Sequence, residues 1–227
     1  MPIYLGEARP RRQEEDEQQD ARRRRDPDAT RKAILDAAED LFICHGPSAT
    51  SLSQIAKKAE VTKSLIHHHF GSKEELWQAV QERHFHEYFE IQKRLITDSA
   101  ATAELLGESV VAYFRFLQKH PRSVRFMSWA TLEEETCPPP CGEKELFELG
   151  IARIREAQEA GEIRSDVEPF FIIKTLIALP MAWFQSRAET LSLIDSEVKP
   201  VELDDMYLRD MVKIFLDGVR RRAGSPS

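Results

Sequence analysis

An all-α fold of about nine helices is predicted for this 227-residue chain. Three observations carry that expectation. Apolar residues recur at helical spacing along most of the length, Ser-x-x-Gln and Ser-x-x-Glu pairs mark helix starts, and no stretch alternates with period two for long enough to form a strand. The expected organisation is a polar tail over 1–27, a compact helix-turn-helix unit over 28–75, and a larger helical domain over 76–227.

The tail segment "EARPRRQEEDEQQDARRRRDPD" cannot bury enough apolar surface to offset the cost of ordering, so it reads as disordered. Arg22 to Arg25 also suit a flexible arm in a DNA groove, although the acids at 14 to 17 would oppose it. The first helix, "DATRKAILDAAEDLFICHG", places Ile34, Ala38, Leu41, Phe42 and His45 on one face and stops at Gly46. A short second helix opens with Ser51 and Gln54 as a capping box and buries Leu52, Ile55 and Ala56. Thr62 caps a third, about Lys63 to Phe70, whose inward residues are Ile66 and Phe70, with Val61 plugging the turn. Ser72 with Glu75 opens a long helix to about Ile96, and later helices are expected at 101–119, 121–135, 143–160, 167–191 and 203–222. Pro121 falls where a first-turn proline is tolerated, "TCPPPCG" must be a loop, and "SEVKPVE" separates the last two helices.

The formal net charge of −7 excludes a broadly basic nucleic-acid coat, so any such site must be local. From Leu41 to Lys73 the chain carries Lys57, Lys58, Lys63 and Lys73 against Glu60 alone, a basic window in an acidic protein. Three cysteines and a charged beginning without an apolar core point to a reducing cytoplasm. The apolar run from Phe170 to Phe184 contains a lysine and a proline and is short for a bilayer, so it reads as a buried helix and no membrane partner is expected. His67, His68 and His69 are consecutive, so on a helix they diverge by about 100° each and cannot converge on one ion. His84 and His86, two apart, also face different ways. No Gly-rich phosphate loop, G-x-S-x-G or H-E-x-x-H is present. No cofactor, metal or catalytic residue is therefore expected, and an all-helical enzyme is only a distant alternative. Cys137 and Cys141 in "CPPPC" leave open a thiol- or metal-responsive regulator.

Two short helices joined by a tight turn over 51–70 have the spacing of a helix-turn-helix, with the second helix in the major groove. That leaves Lys63, Ser64, His67 and His68 outward and Leu65 near the tip, able to meet phosphates, base edges and thymine methyls. Thr30 to Val80 resembles the DNA-binding domain of the tetracycline-repressor (TetR/AcrR) family, through "ILDAAEDLF", Gly46, "TSLSQIAKKAEV", "LIHHHF" and "SKEEL". "GEIRSDVEP" is similar to that family's turn before the eighth helix.

The resemblance implies a regulator, more often a repressor, that binds double-stranded DNA as a homodimer and answers to a small-molecule effector. It implies a phosphate contact from Ser51, base contacts from Lys63, Ser64 and His68, and a phosphate-binding Lys73; His67 stands where the family usually has a tyrosine. Glu60 takes the place of the usual turn glycine. Expected pocket residues are Phe85, Phe89, Phe114, Met127, Trp129, Phe147 and Trp183. The eighth and last helices are expected to form a two-fold interface through Ile177, Phe184, Leu208, Val212 and Phe215.

Overall fold

The computed structural model describes residues 27–133, 142–194 and 198–221. The arginine arm at 22–25, the tail before it and the Cys137–Cys141 pair lie outside the described residues. Among the described residues the chain forms nine α-helices: α1 Pro27–His45, α2 Leu52–Lys58, α3 Lys63–Phe70, α4 Lys73–Asp98, α5 Ala103–Lys119, α6 Pro121–Leu132, α7 Glu143–Glu159, α8 Pro169–Leu193 and α9 Pro200–Val219. The one extended pairing among them is an isolated antiparallel bridge between Ile163 and Arg220.

Local chemistry sets most of the helix starts. Ser51 with Gln54 and Ser72 with Glu75 form complete capping boxes, while Thr62 and Thr102 each accept a backbone N–H with the side-chain hydroxyl. Pro121, Pro169 and Pro200 open α6, α8 and α9, where a missing N–H costs nothing. The end of α2 is unusual. Val61 N–H reaches Ala56 O at 3.0 Å and Glu60 N–H reaches Lys57 O at 3.4 Å, which is the Schellman pattern with Glu60 in the C′ position. That position demands a left-handed backbone, and Glu60 adopts φ 55°, whereas the equivalent ending of α7 uses Gly161 at φ 78°. A side chain here carries the steric cost that glycine avoids. Glu60→Gly should therefore stabilise the protein by about 0.5–1 kcal/mol in urea unfolding. Unchanged or lower stability would mean that other contacts of Glu60 outweigh the backbone strain.

Two apolar cores result. The first joins α1, α2 and α3 to α4, α5 and α6 through Ile34, Phe42, Ile55, Ile66, Trp77 and Phe126. It runs without a break across the 75/76 boundary expected from the sequence. The second lies under α5, α7, α8 and α9 around Phe114, Ile154, Ile172, Leu208 and Phe215. Helix α8, 25 residues long, is long and apolar enough to cross a membrane by length and composition, a test that the core helices of globular proteins also meet. Here it is the hub of the bundle, packed against α5, α6, α7 and α9.

Several inward and outward assignments are corrected. His45, expected on the buried face of α1, is exposed. Leu208 and Phe215, expected at a subunit interface, are buried in this chain's own second core, and Val212 packs against it half-buried. Ile177 and Phe184 are half-buried between the two cores. The stripe of α9 faces α5 and α8 of the same chain because those helices present the nearest apolar surface. The large apolar residues left outward on these two helices are Phe170, Phe171 and Leu193 of α8 and Val201, Met206 and Ile214 of α9.

Candidate nucleic-acid interface and effector cavity

Helix α3 is held from behind by Ile66 and Phe70, both buried, with the Arg31 guanidinium 5.0 Å from the centre of the Phe70 ring. Lys63, Ser64, His67 and His68 are exposed along its free face, and Leu65 is partly exposed at its N-terminal tip. Ser51 and Thr62 spend their hydroxyls on the caps, and each remains at the surface beside that face. His67 Nδ1 donates to the Gly71 carbonyl at 2.6 Å. In the neutral ring this leaves Nε2 without hydrogen, so Nε2 can donate to a phosphate only as the imidazolium. Lys73 is half-buried and its ammonium donates to Pro47 O at 2.9 Å, pinning the start of α4 to the loop after α1. Lys58 is tied to Asp40 at 2.9 Å, and the adjacent Lys57 is exposed. Among the described residues no three His, Cys, Asp or Glu side chains converge to hold a metal ion.

A cavity of about 790 Å³ opens between α4, α5, α6, α7 and α8. Of the expected pocket residues, Phe85, Phe89, Met127 and Phe147 line it, while Phe114, Trp129 and Trp183 do not. Phe114 is buried in the second core against Phe184, at 4.7 Å between ring centres. Trp183 stacks on Tyr207 at 4.3 Å and donates its indole N–H to Asp204. Trp129 donates to Ile43 O at 3.1 Å and so clamps α6 to α1. Ile177, expected at the interface, also lines the cavity. Sequence reasoning missed the polar lining: Gln81, Tyr88, Gln92, Tyr113 and Glu143. The signal existed, because Gln81, Phe85, Tyr88, Gln92 and Ile96 repeat at helical spacing and form one buried face of α4. Burial raises the Tyr88 and Tyr113 phenols well above their ordinary value and also raises the Glu143 carboxyl. In each case burial penalises the charged form.

The walls of this cavity are also the supports of the DNA-binding helices. Trp77 of α4 stacks on Phe126 of α6 at 4.1 Å and meets Phe42 of α1 edge-on at 5.2 Å. Beside this stack, Arg83 of α4 pairs with Asp36 at 2.6 Å and also with Glu39, and Arg122 of α6 reaches Glu39 at 2.9 Å. Ser48, in the loop after α1, donates both its N–H, at 2.9 Å, and its hydroxyl to Glu133 at the end of α6. A change in the spacing of α4 and α6 must therefore be felt at α1.

Comparison with known proteins agrees with this architecture. The model described as bacterial regulatory proteins of the tetR family matches residues 34–80, and that described as the tetracyclin repressor-like C-terminal domain matches residues 106–208. The chain is 27% identical over 161 residues to the HTH-type transcriptional repressor SCO4008 of Streptomyces coelicolor, covering 68% of this chain and 78% of that one. It is 29% identical over 209 residues to the HTH-type transcriptional repressor NicS of Pseudomonas putida, covering 86% and 94%. In fold it is similar to a TetR family transcription regulator from Marinobacter aquaeolei, with a TM-score of 0.66 at 19% identity over 88% of this chain and all of the other. With a matching DNA-binding module, a matching C-terminal module and a recognition helix presented on a free face, the chain belongs to the TetR family of DNA-binding transcriptional regulators.

Proposed function

We propose that the protein is a dimeric repressor that a small apolar or amphipathic effector releases from a palindromic operator. The observation that carries this reading is the shared use of α4 and α6, which wall the cavity and also brace α1 through Trp77, Phe126, Trp129 and the Glu39 ion pairs. An effector that fits better in one spacing of these helices than in another shifts the recognition helix by its differential affinity alone. Relatives described as transcriptional repressors favour repression over activation. The subunit contact is assigned to the outward apolar residues of α8 and α9, with Phe171 and Ile214 central.

In DNA binding, Lys63, Ser64 and His68 read bases, Leu65 meets a thymine methyl, and Ser51, Thr62, His67 and Lys73 hold phosphates. Lys73 supplies the remaining protons of an ammonium already anchored to Pro47 O. Selection of bound DNA from a random pool should return an inverted repeat. Lys63→Ala should then relax base preference by about 1–3 kcal/mol at one position of each half-site. Lys73→Ala should weaken all sequences alike and make the salt slope shallower by about one per half-site. A pool without two-fold symmetry would refute the dimer docking, and unchanged salt slopes would remove Lys73 from the phosphate contacts.

A further inference from the structure

The cavity is not uniform along its length. The α4 face that lines it runs from Gln81 to Ile96, about 22 Å at the rise of an α-helix. Its charged lining residues are Glu143, Arg153 and Lys174. Arg153 donates to Glu156 at 2.6 Å and to the Ser99 carbonyl, toward the C-terminal end of α4, while its Nε is buried without a partner among the described residues. Lys174 is exposed, with its ammonium over the rings of Phe147 and Phe170. Glu143 begins α7, and its charge bears on Tyr88 and Tyr113 in the middle of the cavity. The end nearest the DNA-binding helices is different. There α4, α6 and α8 contribute Gln81, Phe85, Met127, Met181 and Gln185, none of them charged.

At this uncharged end one polar side chain lacks a partner. Gln81 is 2% exposed, lines the cavity, and its carbonyl oxygen is buried without a hydrogen bond among the described residues. Gln92, about three turns further along the same face, is satisfied by donating to the Ser109 carbonyl at 2.9 Å, and Gln185 donates to Ser128 at 3.1 Å. One turn before Gln81, the Trp77 indole N–H is buried and is likewise without an acceptor. Buried amides and indoles left unpaired cost free energy, and they mark places where a polar group is expected to arrive.

We infer that the effector is an elongated amphiphile with an uncharged hydrogen-bond-donating head, a hydroxyl, which the unpaired Gln81 carbonyl oxygen reads at the inner end of the cavity. Its apolar body lies along Phe85, Tyr88, Phe89 and Ile96. The Gln81 carbonyl oxygen accepts the hydroxyl proton, which removes the cost of its unpaired burial. A charged head would lose hydration there without meeting a countercharge. Gln81 also stands between the ligand and Trp77, whose ring stacks on Phe126 and abuts Phe42, so occupancy of the head site acts directly on the support of α1.

This inference rests on the reading of the cavity as the effector site, and the experiment separates the two. Binding of 1-decanol, decanoate and decylammonium to the full-length protein is measured by calorimetry, with tryptophan fluorescence as a second signal. The parent should prefer decanol to both charged probes. Gln81→Met, which keeps length and apolar volume, should lose roughly tenfold in decanol affinity. Gln81→Glu should transfer the preference to decylammonium, a gain that a merely unfolded variant cannot show. Ala182→Trp, which fills the cavity from α8, should remove binding of every probe. If decanol binds equally well to Ala182→Trp, or no probe binds the parent, the cavity reading fails and this inference with it. If Ala182→Trp blocks binding but both Gln81 variants keep the parent's order of preference, the cavity reading stands and the role of Gln81 is overturned.

Discussion

Phe215→Glu should unfold the protein, whereas Ile214→Glu one residue earlier should leave it folded and monomeric. The two side chains point about 100° apart on α9. Phe215 is 4% exposed in the second core, and Ile214 is 70% exposed. A glutamate in place of Phe215 would meet Ile172, Leu208 and Met211, with no cation to pair with, and would forfeit the burial of a whole aromatic ring. The combined cost of a lost ring and a desolvated carboxyl is about 4–6 kcal/mol, comparable with the whole stability of an ordinary domain. At Ile214 the same substitution is solvated in the isolated chain and costs almost nothing in folding. In the proposed dimer it places two like charges near a two-fold axis, and should weaken association at least about tenfold. Circular dichroism and sedimentation velocity separate the outcomes. A folded, monomeric Phe215→Glu protein would show that α9 turns this stripe toward the partner after all. A dimeric Ile214→Glu protein would move the interface to another face.

That pair of residues also shows where sequence reasoning stops. Local chemistry was legible: Ser51 with Gln54, Thr62, and Ser72 with Glu75 mark the starts of α2, α3 and α4 because a cap needs only four consecutive residues. The expected bounds of α3 coincide with the observed Lys63–Phe70 for the same reason, and the outward set of Lys63, Ser64, His67 and His68 follows from Ile66 and Phe70 being buried. Glu60 at a left-handed turn was also visible as a misplaced residue type. What could not be read was the destination of an apolar side chain. Leu208 and Phe215 form a stripe fit for a partner or for the chain's own core, and the hydrophobic effect does not distinguish them. Phe114 and Trp183 have the bulk of pocket residues, yet they face Phe184, Tyr207 and Asp204 on the far side of α5 and α8. Polar residues at buried spacing are the more discriminating sign. Gln81 and Gln92 lie on the α4 face shared with Phe85 and Ile96, and burying an amide on such a face makes sense chiefly where a cavity or a specific acceptor awaits it.

The ion pairs at Glu39 should make the joint between α1 and the body sensitive to acid. Glu39 is mostly buried, with its side chain 16% exposed, and it faces Arg83, Arg122 at 2.9 Å and His84 Nε2 at 3.5 Å. Burial alone would raise its pKa, but His84 and the two guanidinium charges outweigh burial and hold the carboxyl at about 2, against an ordinary 4.5. The folded value is the depressed one. The stabilisation is therefore complete above pH 4.5 and is lost as pH falls toward 2, because the unfolded chain takes up the proton first. With allowance for solvent screening at the exposed edge, the contribution at neutral pH is about 2 kcal/mol. Glu39→Gln keeps the shape and one acceptor but removes the charge. It should be less stable than the parent by about that amount at neutral pH, and the gap should fall to roughly half by about pH 3. Urea unfolding of both proteins at matched ionic strength measures the gap directly. A difference that stays constant from neutral pH to pH 3 would mean that the substituted amide loses hydrogen-bond geometry rather than charge, and that the carboxylate of Glu39 is not what ties α1 to α4 and α6.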